Sequence, residues 1–378
     1  LNDFMRLMGW NANTNLAFGS FHIDIAPIII VAFFTTLLVF GTKIGARVDG
    51  AMTVLKIAIV FFVVIVGFFY VKASNFTPFI PPSQPASTVE GSSAVTGVMT
   101  QPLWQFAPGM TPSVYGVPGI LSGAALVFFA FIGFDVVATA SEETKNPHKN
   151  VPLGIGVGML LIIVMYMLVA VVTTGMVSYA DLAKQDSPSL ATAFELVGAD
   201  WAAKIISFGI VLGLATVVMV LLLGLTRIVF AMSRDGLLPR GLSKTGKHGT
   251  PAALQIVVGA VVALVAAFFD IGVLSDMVNI GTLSAFTLVA ISIPIMRKKR
   301  PDLPRAFKMP GDPWIPILIA VANFWLMLNL SVLTWIRFVV WLVVGVAIYF
   351  GYGYWHARLG KGDLTETLSA ETDKAVNG

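Results

Sequence analysis

The sequence predicts an all-α integral membrane protein, and three observations carry that prediction. Of the 378 residues, 57% are hydrophobic and only 12% are charged, more apolar side chain than a soluble domain of this size can bury. The apolar residues gather into runs close to the roughly 20 residues that a helix needs to cross a bilayer core. The basic residues between those runs fall mainly on alternate connections.

Nine runs are expected as spans, near 23–40, 51–71, 119–141, 152–177, 202–230, 252–270, 277–296, 314–332 and 335–355. Placing successive connections on opposite faces puts 18 of the 24 Lys and Arg on one side, in 41–50, 142–150, 227–250, 296–308 and the tail. The basic side is expected to be cytoplasmic. The C-terminus would then lie inside and the first residues outside. The run "RKKRPDLPR" (297–305) reads as a topology determinant. Segment 72–118, rich in Pro, Ser and Gly, reads as a long outer loop with a short amphipathic piece at "LWQFAPGM" (103–110). The tail from Leu359 is polar and has a disordered composition.

Several function classes drop out. With no cysteine, disulfides, thiolate metal sites and cysteine nucleophiles are excluded. His22, His148, His248 and His356 are scattered over different connections without metal-ligand spacing. There is no G-x-x-x-x-G-K-[ST] phosphate loop to bind ATP, and no serine–histidine or paired-carboxylate arrangement. No enzyme activity and no cofactor are expected. The net charge of +4 is spread over short loops, so no nucleic-acid partner is expected; the lipid bilayer is. Asn75-Phe76-Thr77 forms a glycosylation sequon, meaningful only in a eukaryotic host.

The third run carries the feature that asks for a function. In "ALVFFAFIGFDVVATASEETKNP" (125–147) the apolar stretch is interrupted by Gly133 and Asp135. In lipid a helix is broken only where protein or water satisfies the freed backbone. If the helix unwinds at Gly133, the carbonyls of Phe129, Ala130, Phe131 and Ile132 are released toward an ammonium group. The half-helix beyond offers N–H groups to an anion. A zwitterion needs both. The other reading of Gly133 is a close-packing contact between helices. Asp135 either serves transport directly or holds the unwound backbone by hydrogen bonds. Glu142 and Glu143, beside Lys145, form either a gate with Arg227 or Arg234 or a solvated loop cluster.

Lys56 stands alone in the second run, nine residues after Arg47 and so about 13 Å along the helix. It either snorkels to the interface or faces a polar interior.

Here the residues carry a resemblance. "LSGAALVFFAFIGFDVVATASEETKNPHKNVPLGI" (121–155) resembles the sixth helix and following loop of the cationic amino acid transporter family, within the amino acid–polyamine–organocation superfamily. "TRIVFAMSRDGLLPRGLSKTGKHGTP" (226–251) is similar to the loop after that family's eighth helix. "NIGTLSAFTLVAISIPIMRKKRPDLPRAFKMPG" (279–311) is similar to its tenth helix and the loop beyond.

The resemblance implies a five-plus-five inverted-repeat bundle of the leucine-transporter (LeuT) type with twelve helices, of which the nine runs would be the fourth to the twelfth. The first three, including the other broken helix, would be absent. The implied division is 1–71 as the remnant of the first repeat, 72–118 as outer loop, 119–296 as the second repeat, 297–356 as a basic loop and the last two helices, and 357–378 as tail. Backbone carbonyls of Phe129, Ala130 and Ile132 would hold the substrate amine, with Phe131 and Gly133 in the same segment and the Phe129 ring as a gate. The Lys56 ammonium would replace the sodium ion of sodium-coupled relatives and exchange a proton, with Thr216 as a hydroxyl partner. An isolated helical threonine also commonly bonds its own i−4 carbonyl. The implied function is secondary transport of amino acids by alternating access, with the proton as coupling ion, in a bacterial plasma membrane. The alternatives are an amino-acid sensor and a scaffold for a membrane partner such as a single-span protein. Whether the substrate is cationic or neutral stays open.

Overall fold

The computed structural model of the chain describes residues 15–18, 21–40, 42–88, 97–134, 137, 144, 146–185, 188–244, 251–269, 271–301, 311 and 313–357. Asp135, Glu142, Glu143, Lys145 and the tail therefore lie outside the described residues, and so do the expectations placed on them.

The described chain is dominated by apolar helices. α1 spans Ile25–Phe40, α2 Thr42–Phe68, α3 Leu103–Phe106, α4 Gly116–Val127 and α5 Pro147–Met176. Two short helices, α6 (Tyr179–Ala183) and α7 (Leu190–Leu196), precede the long α8 (Asp200–Arg234). α9 (Ala252–Phe268), α10 (Ile271–Lys299), α11 (Trp314–Leu328) and α12 (Val332–Ile348) complete the set. Within these, Gly50–Phe68, Lys149–Met176, Asp200–Arg234, Ile271–Lys299 and Val332–His356 are long and apolar enough to cross a bilayer. Shorter apolar helices at Pro27–Val39, Gly116–Phe131, Ala252–Phe268 and Trp314–Leu328 fall at the other four expected positions.

Local sequence explains where these helices start and stop. α5 opens on Pro147, preceded by Asn146 in the left-handed region, and proline suits a first helical turn because its missing N–H has no partner there. α8 has Asp200 in its first turn and Arg234 in its last, and α10 ends on Arg297, Lys298 and Lys299. Both patterns complement the helix dipole. Ser178 and Ser189 cap α6 and α7 by accepting from the backbone N–H groups of Asp181 and Thr192.

Packing divides the chain into two units. The first comprises Leu1–Asn13, Met52–Gly213 and Phe269–Phe338. One of its cores joins α2, α5, α7 and α8 through Val63, Val172, Met176, Phe194 and Ile206. Small residues, Ala193, Ala199, Ala202 and Ala203, are fully buried there, as close helix approach requires. A side chain at Gly67 would run into Val172 and Met176. A second core joins α4, α10 and α11 through Ala125, Ile280, Leu283 and Met327.

The segment between α2 and α4 belongs to this unit and is held at several points. Lys72 N–H and Asn75 Nδ2 both donate to the Gly175 carbonyl, at 2.9 and 2.8 Å, so the sequon asparagine already has a structural bond. Strands β3 (Gln84–Pro85) and β4 (Ser113–Val114) pair antiparallel. The expected short helix at "LWQFAPGM" is α3. Around it Met99 and Gln101 carbonyls accept from Leu333 and Val332, and Leu103 N–H donates to Leu330.

The second unit comprises Thr14–Ala51, Leu214–Phe268 and Val339–Gly378. It opens with a hairpin, β1 (Asn15–Phe18) against β2 (Phe21–Asp24). α1 then packs along α9, with Thr35 against Gly259. Val31, Phe34, Leu38, Met219, Leu222, Leu254 and Val258 form the core.

Candidate functional site

The interruption expected in the third run is present in the backbone. α4 runs from Gly116 to Val127 and tightens to a 3₁₀ turn over Phe128–Phe131. Ile132 then leaves helical geometry at φ −66°, ψ 138°, and Gly133 sits at φ +120°. That φ is a region side chains with a Cβ rarely enter, and glycine supplies it at little cost. A Cβ built on Gly133 would meet nothing within 4 Å among the described residues. The close-packing reading of Gly133 therefore finds no support, and the conformational reading does.

The carbonyls on this segment are not all idle. Phe129 accepts from the Ile132 N–H at 3.2 Å, closing the 3₁₀ turn. Ala130 accepts from the Tyr166 hydroxyl of α5 at 2.7 Å. A carbonyl has two lone-pair directions, so each retains room for a second donor. The Phe131 ring stands edge-on to Tyr166, centroids 5.0 Å apart. The Phe129 ring, expected as a gate, is 40% exposed.

α10 supports the break from another direction. The Phe286 ring touches Phe128 before the break, at 6.2 Å between centroids, and Phe134 after it, at 5.3 Å. Asn279, fully buried, donates through Nδ2 to the Ala125 carbonyl at 3.1 Å. Phe128, Phe131, Phe134, Phe286 and Tyr166 thus surround the break with aromatic rings, one of them a phenol.

Lys56 lies half-buried in α2, inside a candidate span. Its aliphatic stem runs along α8, with Cγ 3.8 Å and Cε 3.9 Å from where a Gly213 Cβ would stand. The glycine gives the lysine stem its lane. Thr216, also on α8, is 2% exposed and belongs to the second packing unit.

Tyr166, Phe286 and Asn279 were missed as site residues. Tyr166 has a sequence signal, as the one hydroxyl in "GMLLIIVMYMLVAV" (158–171), but the direction of its face is set only by packing. Phe286 carries no signal among so many phenylalanines.

Comparison with known proteins bears on this geometry. A family model described as amino acid permease matches residues 6–352. The chain is 41% identical over 339 residues to the branched-chain amino acid permease BcaP of Bacillus subtilis (strain 168), covering 89% of this chain and 66% of that protein. It is 38% identical over 334 residues to the methylthioribose transporter of the same strain, covering 88% and 65%. The cationic amino acid transporter 4, vacuolar, of Arabidopsis thaliana is 34% identical over 281 residues, covering 74% of this chain and 42% of that protein. The chain thus spans slightly less than two thirds of the length of the bacterial relatives it matches. The family and these relatives are transporters, not enzymes.

Proposed function

We propose, on the premise that this chain belongs to the amino acid permease family, that it carries amino acids across a membrane by alternating access. One observation supports this most directly: the helix break at Ile132–Gly133 within an otherwise apolar helix. A break of this kind exposes backbone dipoles where a substrate can take them up. The substrate ammonium binds at the carbonyls of Phe129, Ala130 and Ile132. The Tyr166 hydroxyl takes up one side of the Ala130 carbonyl.

The substrate is a zwitterion with an uncharged, apolar side chain. Phe131, Phe134, Phe286 and Tyr166 offer such a side chain aromatic surface. Relatives named for branched-chain amino acids and for methylthioribose set the competing probes. Coupling is to protons, through Lys56. Alternating access would open this ammonium to one face and then the other, letting it take up a proton on one side and release it on the other. Asp135, Glu142 and Glu143 keep their proposed roles at the cytoplasmic side of the break. The wider architecture is a five-plus-five inverted repeat, with the nine apolar helices as crossings and the C-terminus cytoplasmic in a bacterial plasma membrane.

Uptake by the full chain in proteoliposomes tests this. Labelled L-leucine is expected to accumulate under an inward proton gradient without sodium, ahead of L-arginine and methylthioribose. Lys56→Met is expected to abolish the gradient-driven component. Normal accumulation in that variant would remove the coupling role; preference for arginine would overturn the substrate assignment. Binding of leucine without uptake or counterflow would make the protein a sensor.

A further inference from the structure

The strongest unassigned group is the Asn279 side chain. It is fully buried in the apolar core formed by Ala125, Ile280, Leu283, Met327 and Leu330, where a leucine would fill a similar volume without desolvating an amide. Its orientation is fixed by chemistry, because only the NH₂ side can face the Ala125 carbonyl. The Oδ1 is then left buried with no hydrogen-bond partner among the described residues. A buried amide half satisfied is a costly choice for packing alone.

Its position explains the choice. Ala125 lies in the last α turn of α4 before the 3₁₀ segment. Asn279 and Phe286 are seven residues apart on α10 and share one face. Together they hold the broken helix at three places: Ala125, Phe128 before the break and Phe134 beyond it. The lower hold is polar and directional, the upper one aromatic. A directional bond fixes the rotation of the last turn about its axis, which packing by Leu or Ile does not.

We infer that Asn279 is a positioning residue for substrate binding: by holding the Ala125 carbonyl it sets the direction in which the carbonyls of Ala130 and Ile132 point. This rests on the reading of the break as the substrate site. No contact between Asn279 and substrate is involved. The effect is transmitted along one turn and a half of backbone.

The experiment uses the full chain in proteoliposomes, with labelled L-leucine as probe and KM and Vmax measured from pH 5 to pH 8. Asn279→Leu removes the donor and keeps the volume. KM is expected to rise about tenfold, the loss of one oriented buried hydrogen bond. Vmax should stay within about twofold and the thermal midpoint in detergent should not fall. Asn279→Asp supplies a second readout. Its buried acid can donate to the Ala125 carbonyl only when protonated, so leucine KM relative to wild type is expected to be near one at pH 5 and about tenfold higher at pH 8. A leucine variant with unchanged KM, or one whose Vmax falls together with its thermal midpoint, overturns the inference. If the leucine variant does not fold, an aspartate variant whose KM ratio is already raised about tenfold at pH 5, where its acid is protonated and can donate, overturns it instead. Wild-type chain that neither binds nor takes up leucine or arginine sinks the parent reading and this one with it. Wild-type uptake with indifferent Asn279 variants sinks this one alone.

Discussion

At Gly133 the φ of +120° and the lack of any described atom within 4 Å of an added Cβ separate two effects that glycine substitutions usually mix. Gly133→Ala meets no neighbour among the described residues, so its cost is backbone strain of about 1–2 kcal/mol. We expect a small drop in thermal midpoint and a much larger loss of leucine uptake, because the strain is relieved by redirecting the freed carbonyls. Tyr166→Phe keeps the ring against Phe131 but removes the donor on Ala130. Leucine KM is expected to shift by about fivefold, the scale of one hydrogen bond, with the thermal midpoint nearly unchanged. A pH effect belongs to Asp181. Its carboxylate accepts from the Ser178 hydroxyl at 2.7 Å and from Lys184, and these hold its pKa below the usual carboxylate range. A lowered folded pKa means the contribution is complete above the unfolded value and is lost as pH falls through the folded one. Ser178→Ala should move the Asp181 carboxyl titration upward in ¹³C NMR, part of the way back to that of a free aspartate while Lys184 remains.

Among the helices, close approach is bought by small residues, and α2 shows where. Gly67→Leu would drive a side chain into Val172, Met176 and Phe194. Overpacking of this kind costs about 1–3 kcal/mol, so the thermal midpoint should fall clearly, whereas Gly154→Leu on α5, where no described atom lies within 4 Å of an added Cβ, should be tolerated. Helix positions were legible in the sequence because apolar runs of fixed length have few alternatives in a bilayer. The boundaries were less so: α5 opens at Pro147, ahead of the expected 152, and α7, capped by Ser189, lies between two expected runs. The break was legible too, since Gly133 inside "FFAFIGFD" leaves a local mark. What touches the break was not. Tyr166, Asn279 and Phe286 reach it from helices remote in sequence, and an apolar helix gives no reliable indication of which face turns inward.

For the whole molecule, the absence of cysteine makes orientation directly measurable. With an impermeant maleimide, Ser83→Cys should label in intact cells and Lys299→Cys only after permeabilisation; the reverse pattern, or both labelling in intact cells, would refute the charge-based orientation. The short ladder that ties Met99, Gln101 and Leu103 to Leu330, Val332 and Leu333 has a consequence for biogenesis. Its two halves are separated by most of the chain, so during synthesis the earlier half must wait, unpaired, until nearly every later helix has left the ribosome. Contacts of such separation form late. A nascent chain halted before Leu330 should therefore be nicked by protease near Trp104, and release of the last helices should be what closes that wound.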